Sequence, residues 1–270
     1  MSRIAVAATA PFGADVLERL AAKHEVAALL TRPDAPAGRG RRLAAPPAKV
    51  VAEGLGVPVL QPDRPAAGLD LGAPTVVVCA YGLLIPPGLL AERTWLNVHP
   101  SLLPRWRGAA PVERAIMAGD AETGVTIHET VEALDAGPVA AQAAFPIGSE
   151  DDADDVFARA AEVAVRLLDA VLADPAPAFR PQEGEPTYAE KLSPEELRLD
   201  WSQPPEQLER VVRVGGAWTT FRGKRLKVHR AHVRDGELEL LVVQPEGKGR
   251  MNASDWARGA RWKPDEALGS

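Results

Sequence analysis

The chain has 270 residues, of which 46% are hydrophobic and 25% are charged. This composition is ordinary for a soluble globular protein and gives no indication of long disordered stretches. No apolar run approaches the roughly 20 residues of a membrane helix, and the run after Met1 favours a first strand over a signal peptide. Because Cys79 is the only cysteine, the sequence cannot form an intrachain disulfide. Its apolar neighbours in the sequence are typical of a buried cysteine that packs in the core. We therefore expect a cytoplasmic protein without a membrane partner.

The formal net charge is −6, but the charges are unevenly distributed. Residues 1–204 hold 28 acidic and 18 basic side chains, whereas residues 205–270 hold 9 acidic and 13 basic ones. Two basic clusters stand out, at 38–49 and at 222–234. Such clusters are usually solvated surface, but in an acidic protein they can also mark contacts with a polyanion.

Hydrophobic periodicity predicts alternating strands and helices over the first 174 residues. In chain order these are a strand at 3–9, a helix at 13–23, a strand at 25–31, a helix at 48–56, strands at 57–62, 74–82 and 94–100, a helix at 108–120, a strand pair at 124–131 and 138–147, and a helix at 151–174. This alternation predicts an α/β fold with a Rossmann-like, mostly parallel sheet. Ligands of such folds bind beyond the carboxyl ends of the strands.

The rest of the chain has a different character. Residues 175–205 are rich in proline and glutamate and predict a surface linker. Short apolar runs then predict strands, which suggest a small β domain of about 65 residues. We therefore expect a catalytic domain at 1–174, a linker at 175–205 and a reduced β domain at 206–270.

Several common functional motifs are missing from the sequence. It contains neither a G-x-G-x-x-G dinucleotide fingerprint nor a phosphate-binding loop, and it has no G-x-S-x-G nucleophile elbow. The five histidines show no metal-like spacing with each other or with cysteine. Nucleotide, metal and serine-hydrolase functions are therefore disfavoured.

Asn97 and His99 form the most suggestive pair of polar residues. They lie two apart on the strand predicted at 94–100, so both side chains point to one face of the sheet. An amide and an imidazole together can stabilise an oxyanion in acyl transfer, and Asp135 is the best candidate for the carboxylate that would orient the imidazole or move a proton. Pattern alone leaves two alternatives open, a satisfied polar pair at a strand end and a turn-forming aspartate.

The segment SLLPRWRGAAP, which follows His99, is unusually stiff. Pro104 fixes the backbone and restricts Leu103, while Gly108 and Pro111 bracket a helix start. We interpret it as the rigid wall of a pocket, although a well-made strand–helix connection would have the same sequence features.

The motif NVHPSLLPRWRGAAP, the following AGDAETGVTI and the LDAG loop closely resemble the formyltransferase family that uses 10-formyltetrahydrofolate. Three further stretches, at 31–52, 76–86 and 243–266, resemble the members of that family whose acceptor is methionyl initiator tRNA. The resemblance covers nearly the whole chain. It implies a Rossmann-like formyltransferase domain followed by a small, shortened OB-like β domain.

The resemblance also implies roles for individual residues. The catalytic residues would be Asn97, His99 and Asp135. The folate-binding residues would be Ser101, Leu102, Leu103, Pro104, Tyr81, Gly82, Leu83 and Ile85. The tRNA-contacting residues would be Arg39, Arg41, Arg42, Lys224, Arg225 and Lys227. The implied co-substrate is 10-formyltetrahydrofolate, without a metal, the implied partner is initiator methionyl-tRNA, and we expect a monomer.

The sequence departs from the family pattern in its tail, where the stretch at 230–241 lacks roughly 25 residues that normally supply barrel strands. Glu113 also replaces a usual glutamine. Three alternatives therefore stay open: a formyltransferase acting on a small amine, a formyltetrahydrofolate hydrolase, and a non-catalytic RNA-binding protein with a degenerate transferase domain.

Overall fold

A computed structural model describes residues 1–37, 42–263 and 266–269. The strands are β1 (Arg3–Ala8), β2 (Glu25–Leu30), β3 (Ala35–Ala37), β4 (Arg42–Ala44), β5 (Val59–Leu60), β6 (Thr75–Cys79), β7 (Thr94–His99), β8 (Arg107–Gly108), β9 (Glu122–Glu129), β10 (Val139–Pro146), β11 (Tyr188–Ala189), β12 (Trp218–Phe221), β13 (Lys224–Arg234), β14 (Glu237–Pro245) and β15 (Met251–Asn252). The helices are α1 (Pro11–Ala21), α2 (Pro47–Gly54), α3 (Pro87–Leu90), α4 (Pro111–Ala118), α5 (Ala153–Ala173), α6 (Pro205–Arg213) and α7 (Ala253–Ala260). Within these residues no helix is both long and apolar enough to cross a bilayer.

The chain divides into two compact units. The first comprises residues 1–108, 123–146 and 157–188 and contains a seven-stranded sheet in the order β10-β9-β7-β6-β1-β2-β5. The pairs β1–β2, β1–β6, β6–β7 and β2–β5 are parallel, and β7–β9 is antiparallel. This confirms the predicted α/β class with a mostly parallel sheet.

The centre of the first unit is a tightly packed strand–helix interface. Residues 4–8 of β1 are fully buried, as expected for a strand covered on both faces. A Cβ atom at Gly13 of α1 would lie 2.4 Å from the carbonyl oxygen of Cys79, so only glycine permits this approach. Cys79 is itself fully buried, which confirms its packing role, and burial raises the pKa of its thiol.

The second unit comprises residues 109–122, 147–156 and 189–270, of which the structure describes all but three. It contains the antiparallel sheet β12-β13-β14-β15, which confirms the predicted small β domain. Helix α6 was not expected from the sequence, although Leu208, Val211 and Val212 have helical spacing and pack against Val228 of β13.

The segment expected to be a surface linker makes regular contacts with the first unit. Arg180 and Val139 exchange two backbone hydrogen bonds of 2.7 and 2.9 Å. The carbonyl oxygen of Thr187 accepts a hydrogen bond of 2.8 Å from the amide of Arg107. These bonds fix residues 180–187 against the edge of the sheet and against the turn that follows β7.

Candidate active site

The candidate site is built on the antiparallel junction between β7 and β9. Asn97 lies directly opposite His128, and His99 lies directly opposite Thr126. Because side chains alternate along a strand, all four project from the same face of the sheet. His99, Thr126 and His128 are buried, and Asn97 is partly buried.

The structure brings the three predicted catalytic side chains together. Asn97 Nδ2 donates a hydrogen bond of 3.1 Å to Asp135 Oδ1. His99 Nδ1 lies 3.6 Å from Asp135 Oδ2, which is an ion-pair distance but too long for a good hydrogen bond. Asp135 is thus placed between the amide and the imidazole.

The position of Asp135 depends on an unusual backbone conformation. Its φ angle is +46°, in the left-handed region that aspartate tolerates better than most residues. The amide of Gly108 donates a 2.8 Å hydrogen bond to Oδ2, so this oxygen is anchored to the turn after β7. Gly137, at the end of the same loop, is irreplaceable because a Cβ atom there would lie 1.8 Å from the carbonyl oxygen of Glu129.

A backbone carbonyl fixes the orientation of His99. Nε2 lies 2.8 Å from the carbonyl oxygen of Trp106, which can only accept, so Nε2 carries a proton. The other nitrogen, Nδ1, therefore faces Asp135.

His128 is a fourth polar group at the centre of the site, and sequence reasoning missed it. Its Nδ1 lies 2.8 Å from the carbonyl oxygen of Glu129 and carries the proton, which leaves Nε2 to accept from Asn97 Nδ2 at 3.0 Å. Burial lowers the pKa of His128 to about 4, partly opposed by the Glu129 carbonyl and by Asp135. His128 is therefore neutral near pH 7.

Thr126 organises the turn that begins the predicted folate segment. Its hydroxyl donates to the carbonyl oxygen of Ser101 at 2.7 Å and accepts from the amide of Leu103 at 3.1 Å and from Gln142 Nε2 at 2.8 Å. These three bonds use the full capacity of the hydroxyl. Ser101 is fully buried and donates to the carbonyl oxygen of Arg105 at 2.6 Å, so its side chain shapes the turn.

The predicted folate-binding residues differ in exposure. Leu103 is buried, whereas Leu102 and Pro104 are partly exposed. In the other segment Tyr81 and Ile85 belong to a buried core cluster against which Leu83 packs, and Gly82 is exposed with a φ of +75°. Burial raises the pKa of Tyr81 to about 12. Its hydroxyl is buried without a hydrogen-bond partner among the described residues.

The predicted tRNA-contacting residues lie on separate parts of the chain. Arg39 and Arg41 fall outside the described residues, and Arg42 is exposed on β4. Lys224, Arg225 and Lys227 are exposed on β13 in the second unit. None of these last three forms an ion pair with a carboxylate in the described parts of the chain.

An aromatic ring accompanies these cations. Trp218 lies opposite Lys227 in the β12–β13 register. The guanidinium carbon of Arg225 lies 4.0 Å from the centre of the Trp218 ring, and that of Arg198 lies 5.6 Å from it. Both distances are within the range of cation–π contacts. A tryptophan flanked by two arginines thus stands beside the basic strand.

The arrangement around Asp135 has the parts that acyl transfer requires. An amide and an imidazole are groups that can donate N–H bonds to a developing oxyanion, and a carboxylate beside them can accept a proton. Among the described residues, no group of three or more histidine, cysteine, aspartate or glutamate side chains is arranged to hold a metal ion.

The comparisons with known proteins agree with this chemistry. Residues 2–172 match the formyl transferase family, and residues 191–237 match the formyl transferase C-terminal domain. The chain therefore belongs to the formyl transferase family.

Two relatives make the relationship more specific. The methionyl-tRNA formyltransferase of Thiobacillus denitrificans is 46% identical, in an alignment that covers 99% of this chain and all of that protein. The methionyl-tRNA formyltransferase of Jannaschia sp. is 40% identical over 98% of this chain and 99% of its own length. The Thiobacillus alignment spans 308 positions against 270 residues here, so the relative contains residues that this chain lacks.

Solved structures support the fold. Methionyl-tRNA formyltransferase from Clostridium thermocellum superposes with a TM-score of 0.65 at 16% identity, covering 92% of this chain and 100% of that one. HypX from Aquifex aeolicus in complex with tetrahydrofolic acid superposes with a TM-score of 0.64 at 17% identity, covering 95% of this chain and 47% of that one.

Proposed function

We propose that this chain transfers a formyl group from 10-formyltetrahydrofolate to the α-amino group of methionyl initiator tRNA. The observation that carries the proposal is the 46% identity to a methionyl-tRNA formyltransferase over essentially the full length of both chains. Family membership, through two matching domains, supports the formyl-transfer chemistry independently.

Asn97, His99 and Asp135 are the proposed catalytic residues. The methionyl α-amine attacks the formyl carbon, so a new C–N bond forms and the carbonyl oxygen becomes an oxyanion. An N–H group of Asn97 and one of His99 donate to that oxygen, and His99 Nε2 must release the Trp106 carbonyl to do so. The oxyanion then collapses, the bond from the formyl carbon to N10 of the folate breaks, and tetrahydrofolate leaves.

Asp135 is the proposed carrier of the proton. The attacking amine must lose a proton and the departing N10 must gain one. The proton released by the amine can therefore be passed to N10, and no other reactant is needed. The 3.6 Å gap between Asp135 Oδ2 and His99 Nδ1 suits a carboxylate that stabilises an imidazolium and passes a proton, directly or through water. Because both protons of Asn97 Nδ2 are engaged, one partner must yield when the formyl oxygen binds.

The folate would be held by the two segments described above. The resemblance assigns this role to Ser101, Leu102, Leu103 and Pro104, and to Tyr81, Gly82, Leu83 and Ile85. The exposed leucines at 84 and 134, 81% and 63% accessible, supply apolar surface of the kind that a pterin ring covers on binding.

The acceptor tRNA would be held by the basic residues. Lys224, Arg225 and Lys227 are exposed cations without carboxylate partners in the described chain, as expected of a phosphate-binding surface. Trp218 lies beside them and holds the Arg225 guanidinium over its ring. We also assign Arg39, Arg41 and Arg42 to the acceptor end of the tRNA.

The proposed organisation is a catalytic domain at 1–174, a linker at 175–205 and a reduced C-terminal domain at 206–270. A cytoplasmic monomer that uses no metal fits a role in translation initiation.

A formylation assay with the purified chain, methionyl initiator tRNA and 10-formyltetrahydrofolate tests the function. We expect formyl-methionyl-tRNA to form, with an Asn97→Ala protein as the inactive control. Transfer to a small amine but not to tRNA would favour the alternative acceptor. Release of formate in buffer alone would indicate a hydrolase, and tRNA binding without any transfer would indicate a non-catalytic RNA-binding protein.

A further inference from the structure

A glutamine in the segment 180–187 contacts the loop that carries Asp135. Gln182 Nε2 donates to the carbonyl oxygens of Asp135 at 2.7 Å and of Gly137 at 2.9 Å. Its Oε1 accepts from Nε and Nη2 of Arg107 at 3.1 and 2.6 Å. One amide group therefore joins both ends of the Asp135 turn to the turn that follows β7.

A threonine in the same segment contacts the other side of the site. The amide of Trp106 donates to Thr187 Oγ1 at 2.9 Å, and the amide of Thr187 donates to the carbonyl oxygen of Pro104 at 3.2 Å. The carbonyl of Trp106 is the group that accepts from His99 Nε2. Thr187 thus holds the residue that orients the imidazole.

Both contacted residues have a backbone conformation that needs support. Asp135 has a φ of +46° and Trp106 a φ of +61°. For residues other than glycine, such angles are unfavourable and persist only when surrounding contacts hold them. In each case a side chain of the segment 180–187 bonds to the backbone of the left-handed residue itself.

We propose that Gln182 and Thr187 are positioning residues for formyl transfer. Gln182 sets the place of the Asp135 carboxylate, and Thr187 sets the place of the Trp106 carbonyl and hence of the His99 ring. The segment 180–187, although it lies within the proposed linker, therefore helps to position the catalytic residues. This inference rests on the proposed roles of His99 and Asp135.

Two pairs of variants test it. Gln182→Ala removes all four hydrogen bonds of the side chain. Gln182→Glu can still accept from Arg107, but it replaces the donor to the two carbonyl oxygens with a carboxylate oxygen, which repels them. Thr187→Val removes the hydroxyl at constant shape, and Thr187→Ser keeps it. We expect kcat to fall roughly tenfold to hundredfold in the first three, because a displacement of about 1 Å has effects of this size. KM for both substrates should change less than about threefold.

Two results separate positioning from general stability. Thr187→Ser should recover most of the activity, and the melting temperature of Thr187→Val should stay within a few degrees of the wild-type value. Glu183→Ala, at an exposed neighbour of Gln182, should behave as wild type.

Hydrogen exchange at the Gly108 amide gives a readout that does not depend on activity. This amide donates to Asp135 Oδ2, so its exchange should accelerate at least tenfold in Gln182→Ala if the carboxylate loses its place. Unchanged Gly108 exchange, or wild-type kcat in Gln182→Ala and Thr187→Val, would overturn the proposal. If the wild-type protein formylated nothing, the proposed function would fail, while the exchange result would still decide whether Gln182 places Asp135.

Discussion

Asn97 and His128 face each other across β7 and β9 and share one hydrogen bond, from Asn97 Nδ2 to His128 Nε2 at 3.0 Å. Because His128 Nε2 can only accept here, it fixes the rotation of the Asn97 amide, with Nδ2 rather than Oδ1 facing His128. An amide turned by 180° would present an oxygen to Asp135 and lose its donors. The neutral imidazole therefore keeps the N–H groups of Asn97, the proposed oxyanion donor, on the side of Asp135.

This relationship predicts a difference between two substitutions. His128→Phe fills the space but removes the acceptor, so kcat should fall roughly tenfold to hundredfold, whereas His128→Gln can still accept through its amide oxygen and should lose less. Steady-state kinetics with methionyl-tRNA measures both. His24→Gln alters a buried histidine that bonds Asp169 away from the site and serves as the control. Equal loss in both His128 variants would argue against the orienting role.

Removal of the predicted catalytic side chains should have larger effects. Asn97→Ala, His99→Ala and Asp135→Ala should each lower kcat by on the order of a hundredfold to ten-thousandfold, because each removes a group that acts in the transition state. Folate binding, followed by tryptophan fluorescence or calorimetry, should persist. Near-normal turnover in His99→Ala would contradict its assignment.

The buried imidazole of His128 predicts a pH-dependent stability. Burial holds its folded-state pKa at about 4, below the ordinary value of 6.5, so the unfolded chain binds the extra proton first as the pH falls. The contribution to stability is complete above about pH 6.5 and is lost as the pH decreases to about 4, by up to about 3 kcal/mol. Urea unfolding of the wild type and His128→Gln across this range measures the difference. Parallel stability curves would refute the prediction.

Glu113 predicts the opposite dependence. Burial raises the pKa of this carboxyl on α4, and its Oε2 has no hydrogen-bond partner among the described residues. A folded-state pKa above the unfolded value means that stability falls as the pH rises through that range. Glu113→Gln should therefore raise the free energy of unfolding at pH 8 and change it less at pH 5. Denaturant titrations at pH 5 and pH 8 measure it, with Glu122→Gln, at an exposed position, as the control.

The basic surface of the second unit predicts salt-dependent tRNA binding. Arg225→Ala and Lys227→Ala should each weaken binding and reduce the slope of log K against log salt by about 1, because each cation releases roughly one counterion from the phosphates. Filter binding at several salt concentrations gives the slope. Arg258 is also exposed in this unit but pairs with Asp255, so Arg258→Ala should leave the slope unchanged. A slope that none of the substitutions alters would exclude this surface from the tRNA interface.

The sequence alone predicted that the strand residues and the loop residue of the site lie close together. Period-two spacing put Asn97 and His99 on one face of a strand, and the rule for α/β sheets placed them beside the loop of Asp135. The resemblance supplied the donor and the acceptor, which no spacing could name. Helix α6 could also have been predicted, because Leu208, Val211 and Val212 repeat with the helical period.

The rest of the site depends on contacts that a single sequence does not encode locally. His128 becomes a partner of Asn97 only through the antiparallel register of β7 and β9, and a histidine in an apolar strand gave no signal of that register. Gln182 lies in a stretch whose proline and glutamate content favoured a linker, because composition reports solvent preference and not the few bonds that one side chain makes.

The order of synthesis gives this geometry a consequence of its own. Gln182 follows Asp135 by 47 residues, and Thr187 follows Trp106 by 81. A ribosome that has translated as far as residue 174 has already made Asn97, His99 and Asp135, but neither of the side chains that hold the two left-handed residues in place. On the proposed roles of Gln182 and Thr187, the site reaches its final geometry only after residues 180–187 have been synthesised.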